Sequence, residues 1–285
     1  MTERASVIDG TALAGKLITE LARDVAAFVR DTGITPGLAL VALADDPVQR
    51  LYVRKKVVQC ERAGIRAVEC PLTRTITTAG LSAQLRRLSD DPTVHGIFLQ
   101  WPLPPTVDLA AAIEAIAPSK DIDGMRDGTF VPAAAGACFA LIQSSLGTLA
   151  GLNAVIAAAH DDIFARQIAR ILRDGGCAVR VAYRGDDGLP DICRSAGILV
   201  AALAEPEVVR ADWVRPGATV IDVGMHVIAG DDGRRRFVGD VNFDEVSRVA
   251  RAISPIPGGV GPVTIACLLQ NTLAAARQRR AAELR

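Results

Sequence analysis

The sequence predicts an α/β protein of two domains. Three observations carry this reading. Short apolar runs alternate with amphipathic stretches through the first hundred residues, the alternation restarts near Gly151, and no low-complexity linker or long repeat interrupts it. Leu13, Leu17, Leu21, Val25 and Phe28 recur at three- and four-residue steps and predict a helix over residues 11–31. Residues 37–44 (GLALVALA) read as a buried strand. Asp45-Asp46-Pro47 is a helix-start signal and Gly64 a stop, which brackets a helix over residues 47–63. A strand at 65–70, a helix at 78–88 and a strand at 95–100 follow. Strand and helix in alternation mean a parallel sheet with helices over it, and in such sheets ligands sit off the carboxyl ends of the strands.

From Gly151 the pattern gives strands at 152–159, 178–183, 198–203 and 218–223, with a helix at 163–173 after the first. Asp231-Asp232-Gly233 reads as a hairpin turn, 263–280 as a helix, and 277–285 as a frayed charged tail.

Lysine plus arginine (32) equals aspartate plus glutamate (32), a balance that argues against a nucleic-acid or membrane-surface binder. The six cysteines have no Cys-x-x-Cys spacing, so free thiols in a reducing cytoplasm are expected, and no metal site. Met1-Thr2-Glu3-Arg4 carries no apolar signal core and no run reaches membrane-spanning length. His95, His160 and His226 share no recognisable spacing, which disfavours histidine catalysis.

Four stretches carry chemistry. Tyr52 and Lys56 are four apart on one helix face, where a ring can stack on a flat substrate and an amine can move a proton. The bland reading is a surface pair. Leu99-Gln100-Trp101 ends a strand before Pro102, so the Gln100 amide points off the sheet; the bland reading is a strand cap. Lys120-Asp121-Ile122-Asp123-Gly124 sets two carboxylates around one residue, against the alternative of a solvated turn. Pro257-Gly258-Gly259-Val260-Gly261-Pro262 feeds a helix with more glycine than a turn needs, which suits close approach of a ligand to the backbone.

In this order the four stretches, with Val220-Ile221-Asp222-Val223-Gly224, resemble the bifunctional methylenetetrahydrofolate dehydrogenase/methenyltetrahydrofolate cyclohydrolase (FolD-type) family over nearly the whole chain. The resemblance implies two α/β domains with a cleft between them: a folate-binding catalytic domain over residues 1–148 with the helix at 262–285, and a Rossmann-like cofactor domain over 149–261. It implies that Tyr52 stacks on the folate, Lys56 is the catalytic amine, Gln100 orients it and Asp123 accepts from the pterin donors. Leu99, Trp101 and Pro257, Gly258, Gly259, Val260, Gly261 and Pro262 would complete the wall. A tetrahydrofolate derivative is the implied substrate, NADP the implied cofactor, and a cytoplasmic homodimer the implied state.

The chain leaves the family pattern mainly in the second domain. Where the family places Gly-Arg-Ser-x-x-Val-Gly-x-Pro, residues 157–165 read AAAHDDIFA, with no glycine and with Asp161 and Asp162 where phosphates would sit. The glycine after the next parallel strand is replaced within Ala201-Ala202-Leu203-Ala204-Glu205-Pro206, and residues 131–141 read VPAAAGACFAL. Ala157, Ala158, Ala159, Arg184 and Met225 remain as cofactor contacts. Gln49 stands where the family often has serine. The expectation is therefore split: cyclohydrolase activity first, NADP-dependent dehydrogenase activity second, with a non-catalytic folate-binding or partner-binding relative that has lost its cofactor as the alternative.

Overall fold

The computed structural model describes residues 4–126, 128–229 and 235–284. Along the chain the elements are β1 (Ser6–Val7), α1 (Gly10–Thr32), β2 (Gly37–Leu43), α2 (Pro47–Ala63), β3 (Arg66–Leu72), α3 (Thr78–Asp90), β4 (Gly96–Leu99), α4 (Leu109–Glu114) and α5 (Ala133–Leu146). There follow β5 (Asn153–Ala158), α6 (Ile163–Asp174), β6 (Ala178–Tyr183), α7 (Leu189–Arg194), β7 (Ile198–Ala202), β8 (Thr219–Asp222), β9 (His226–Ala229), β10 (Arg235–Val238), α8 (Phe243–Val246), β11 (Ala252–Ile253) and α9 (Val260–Glu283).

The chain divides into two compact units of comparable length. One, the six-stranded unit, comprises the chain up to Ala14 with Ala134–Thr264; the other, the three-stranded unit, comprises Gly15–Ala133 with the chain from Ile265. The chain up to Ala14 falls in the six-stranded unit because β1 pairs in parallel with β11, and the stretch from Ala134 to residue 148 falls in the same unit.

The three-stranded sheet has the order β3-β2-β4, all parallel. Every residue of the central β2 is buried, whereas the edge strand β3 is mostly exposed or half-exposed. Ala39, Val41 and Leu43 face one side and pack with Leu81 and Leu85 of α3 and Ala112 of α4. The six-stranded sheet has the order β1-β11-β8-β7-β5-β6, also parallel. Its chain turns from β5 outward to β6, then back to β7 on the other side of β5. That reversal is a topological switch point, the place where an open α/β sheet offers a crevice to a ligand.

α9 begins at Val260 and runs to Glu283, so the expected charged tail is helix through that residue; Arg279 bonds Glu283, one turn on, at 3.0 Å. β9 and β10 pair antiparallel, Phe237 opposite Val227. The hairpin turn expected at Asp231-Asp232-Gly233 lies outside the described residues. Trp101–Pro102 and Ile256–Pro257 are cis.

Gly96 at the start of β4 shows how tightly the three-stranded unit is closed. A Cβ there would stand 2.8 Å from Ile122 Cγ1 and 3.1 Å from Thr272 Oγ1. Gly96→Ala is expected to cost about 1–3 kcal/mol through overpacking, read as a lowered midpoint of thermal or urea unfolding; an unchanged midpoint would show that Ile122 can move aside freely.

Candidate active site

The site is built on α2. Asp46 caps the helix by accepting from Val48 N and Gln49 N, both at 2.9 Å, Pro47 opens it, and Gly64 closes it in the left-handed conformation at φ 73°. With both ends fixed, the helix turns Gln49, Val53, Lys56, Cys60 and Ala63 inward. Two of those five are polar, and each finds a partner. Gln49, 1% exposed, accepts from Leu43 N at 2.9 Å and donates to Pro102 O at 2.6 Å, tying β2 to the loop after β4. Lys56, 6% exposed, donates from Nζ to Gln100 Oε1 at 2.9 Å.

Gln100 lies one residue past β4 rather than in it; its N–H continues the ladder to Val41 O at 2.8 Å and its Nε2 donates to Trp101 O at 3.1 Å. The amide is thereby oriented with its oxygen toward the amine. The Lys56 ammonium stands 4.3 Å from the centroid of the Phe98 ring and 5.9 Å from that of Tyr52. Tyr52 is half-buried and leaves part of its ring open to a stacking partner. Leu99, expected to line the site, instead puts its side chain into the core beside Val41 and Leu72, because alternate residues of a strand face opposite sides.

The two carboxylates of the 120–124 loop do different work, and the loop is largely buried, against the alternative of a solvated turn. Lys120 donates to Leu88 O and Asp91 O at 3.1 and 2.7 Å, satisfying carbonyls at the end of α3. Asp121 accepts from Met125 N and Arg126 N and pairs with the Arg126 guanidinium at 3.7 Å. The Asp123 carboxylate accepts no hydrogen bond from the described residues and acts on Lys56 through charge. Asn271 of α9, unremarked in the sequence, fixes the loop by donating to Ile122 O at 2.8 Å and Val131 O at 3.2 Å.

Burial lowers the Lys56 amine to about 8; Asp123 opposes that shift and Lys55 adds to it. Burial also raises Asp123 to about 6, with Asp121 adding to the rise and Lys56 opposing it. The unit therefore holds an amine able to lose its proton near neutrality beside a carboxylate able to keep its charge there. A cavity of ≈ 480 Å³ lies on the other flank of α2, between Arg50, Arg54 and β3, and is not lined by Lys56. His95 is structural: its Nδ1 accepts from Gly37 N at 3.0 Å. All six cysteines are free and buried, and no metal-binding group of side chains occurs among the described residues.

The remaining expected residues belong to the six-stranded unit. In the glycine loop, Gly258 has φ 107°, and a Cβ on Gly259 would stand 2.6 Å from Pro255 O. Gly10 of α1 packs directly on the Gly259 carbonyl, and Thr11 N donates to Gly258 O at 3.1 Å. Two of the three glycines thus have a structural reason; Gly261 meets nothing within 4 Å and has none.

At the end of β5, Ala157 and Ala158 are buried, and Ala159 N is bonded to Ala202 O at 2.8 Å. Asp162 caps α6 with its own carboxylate, accepting from Ala165 N at 2.8 Å. Asp161 pairs with Arg166 at 3.3 Å and meets the Tyr183 hydroxyl at 3.4 Å. Arg184 donates to Leu203 O at 3.3 Å, and Met225 is 54% exposed. At residues 159–162 a dinucleotide pyrophosphate would meet the carboxylates of Asp161 and Asp162, and the Ala159 N–H is already bonded to Ala202 O.

After β7 and β8 the chain is knotted around two buried acids. Asp240 accepts from Leu203 N, Ala204 N and Glu205 N at 2.6, 3.2 and 3.0 Å and pairs with His226 at 2.8 Å. Asp222 accepts from Gly224 N, Asp240 N and Val241 N, and burial raises it to about 7.

A two-unit α/β enzyme with a buried amine–amide–carboxylate group on its three-stranded unit is the class that fold and geometry define. The comparisons make it specific. Residues 8–123 match the family model described as the tetrahydrofolate dehydrogenase/cyclohydrolase catalytic domain, and residues 132–280 match the NAD(P)-binding domain of the same family. The bifunctional protein FolD 2 of Paracoccus denitrificans is 43% identical over 280 residues, covering 95% of this chain and 92% of that one. The bifunctional protein FolD of Zymomonas mobilis is 42% identical over 293 residues, covering 97% and 98%. Among solved structures, the bifunctional FolD enzyme of Campylobacter jejuni superposes with a TM-score of 0.87 at 33% identity, covering 96% of this chain and 99% of that one. The Trypanosoma brucei dehydrogenase-cyclohydrolase, described as complexed with NADP and inhibitor, gives a TM-score of 0.88 at 34% identity, covering 97% and 98%. The chain belongs to the tetrahydrofolate dehydrogenase/cyclohydrolase family. These matches lend no support to an outright loss of cofactor binding, since the NAD(P)-binding match runs through the altered loop.

Asn271→Ala should leave the chain folded at a cost of about 1–3 kcal/mol and weaken folate binding by loosening Asp123. The readout is KM for methenyl hydrolysis, expected to rise more than kcat falls; a fall in kcat alone would show that Asn271 does not act through Asp123.

Proposed function

We propose that the chain hydrolyses methenyltetrahydrofolate to 10-formyltetrahydrofolate at Lys56. The observation that carries this reading is the buried Lys56 amine, lowered to about 8 and held at 2.9 Å by the Gln100 oxygen. In its neutral form the amine takes a proton from water as that water adds to the cationic methenyl carbon. The carbon–nitrogen bond then breaks, and the departing nitrogen receives the proton. The Gln100 oxygen aims the amine. The ionised Asp123 accepts from the pterin's N–H donors, which a carboxylate can do because it offers acceptors and no donor. Tyr52 stacks on the flat ring, with Trp101 as a further folate contact. The division of labour proposed is a folate part in residues 1–148 and 262–285 and a cofactor part in 149–261.

The family's second activity, NADP-dependent oxidation of methylenetetrahydrofolate, is supported by the NAD(P)-binding match over residues 132–280. A relative that only binds folate is not favoured, because binding alone has no use for an amine of lowered basicity. The six cysteines, none of them in a disulfide, support a cytoplasmic location. No described helix is long and apolar enough to cross a membrane.

Lys56→Ala is expected to lower methenyl hydrolysis by about a hundred- to ten-thousand-fold, with Tyr52 fluorescence and the unfolding midpoint little changed; full turnover by that variant would refute the assignment. In the wild type, kcat/KM should rise with pH through about 8 as Lys56 loses its proton and drop below about 6 as Asp123 gains one. A flat profile between those values and beyond would remove both groups from the chemistry.

We also propose a homodimer. Val227 and Phe237, opposite each other on the β9–β10 ribbon, are 53% and 48% exposed, which is apolar surface suited to a second copy. Light scattering should give twice the chain mass for the wild type and a shift to monomer for Phe237→Glu; a monomeric wild type ends this proposal.

A further inference from the structure

The crevice that the six-stranded sheet opens at its switch point lies off the carboxyl ends of β5 and β7. The side chains gathered there are acidic. Asp161 and Asp162 follow β5, Glu205 follows β7, and all three are exposed or half-exposed. Of the cationic side chains nearby, Arg166 pairs with Asp161 at 3.3 Å, His160 stands 3.8 Å from Asp162, and Arg184 is held on the neutral Leu203 carbonyl at 3.3 Å. The one long helix that points its N-terminus at the crevice, α6, spends its positive end on Asp162. A helix N-terminus favours an anion through its free N–H groups and its dipole. Here Asp162 is that anion. An incoming pyrophosphate would have to displace the Asp162 carboxylate and lie beside that of Asp161.

We infer that Asp161 and Asp162 set this chain's affinity for dinucleotides, holding NADP weakly by charge repulsion at the pyrophosphate seat while the rest of the cofactor domain is kept. The inference rests on the family's NAD(P)-binding match for the identity of the ligand, and on this chain's own residues for the repulsion.

The test is equilibrium titration of the full chain with NADPH, followed by nucleotide fluorescence and repeated with NADP by calorimetry. The variants are Asp161→Ser/Asp162→Asn, in which asparagine can still cap α6, and Asp174→Asn, which removes one charge at the far end of the same helix. The double variant is expected to bind at least about tenfold more tightly than wild type. The gap should narrow as salt rises from about 0.05 to 0.5 M, because screening weakens the repulsion. Asp174→Asn should bind within about twofold of wild type. Equal affinity of wild type and double variant, whether tight or below detection, overturns the inference, as does an equal gain from Asp174→Asn. Methenyl hydrolysis without cofactor, measured on the same samples, reports separately on the Lys56 reading, and its thermal midpoint confirms that the variants fold.

Discussion

A lysine amine buried in the middle of a helix is the constraint around which the three-stranded unit is built. Lys56 can lie inside only if something accepts from it, and Gln100 does so at 2.9 Å. That bond requires α2 to have one rotational setting, since a slip of one residue would turn Lys56 through about 100°. The Asp46 cap and the left-handed Gly64 fix the ends, and the Gln49 bridge between Leu43 N and Pro102 O fixes the face. The strand end carrying Gln100 and the helix carrying Lys56 are thus tied to each other twice. The same burial that demands this order is what lowers the amine to about 8. Structure and reactivity have one cause here: the amine is useful as a base because the fold makes its charged form costly.

Asp123 completes the balance. An isolated carboxylate near a buried amine would pull its basicity back up, and Asp123 does oppose the shift. Burial and Asp121 raise Asp123 itself to about 6, so its charge near Lys56 is retained at neutral pH but weakly held. Desolvation wins at both groups, leaving two side chains whose proton exchange falls in the range where a hydrolase works.

Much of this was legible in the chain. The bounds of α2 follow from Asp46-Pro47 and Gly64, and the buried strands from their unbroken apolar runs, because those signals are local. The four-residue step from Tyr52 to Lys56 places both on one side of the helix for the same reason. What escaped depends on contacts across long sequence separations. Asn271 holds Ile122 from 149 residues away, and no local pattern marks it. Lys120 and Asp121 look solvated in a polar stretch, yet helix carbonyls and backbone N–H groups draw them in. Arg279 and Glu283 look like a loose tail, but α9 packs in the core upstream and propagates through them. Gly258 and Gly259 suggested a ligand; a positive φ and the close approach of Gly10 and Pro255 give them a structural reason that the sequence did not show.

The six-stranded unit shows why likeness of fold and likeness of ligand separate. Its strand ends are held by Asp222 and Asp240, which collect backbone N–H groups from three loops, and by Gly224 and Gly239, where any Cβ would run into those carboxylates. Ala204 sits at φ 55°, a conformation that costs a residue with a Cβ about 1–2 kcal/mol. It stays there although the family's glycine is gone, because Asp240 binds the N–H groups of Leu203, Ala204 and Glu205 together. The residues that shape the sheet's upper end are therefore not those that would meet a phosphate. Ala159, Asp161 and Asp162 could change without disturbing the Asp222–Asp240 knot, and a backbone that superposes closely on its relatives is the expected result. The path of the chain at this end of the sheet is set by the Asp222–Asp240 knot, and the charge at the end of β5 is set separately, by Asp161 and Asp162.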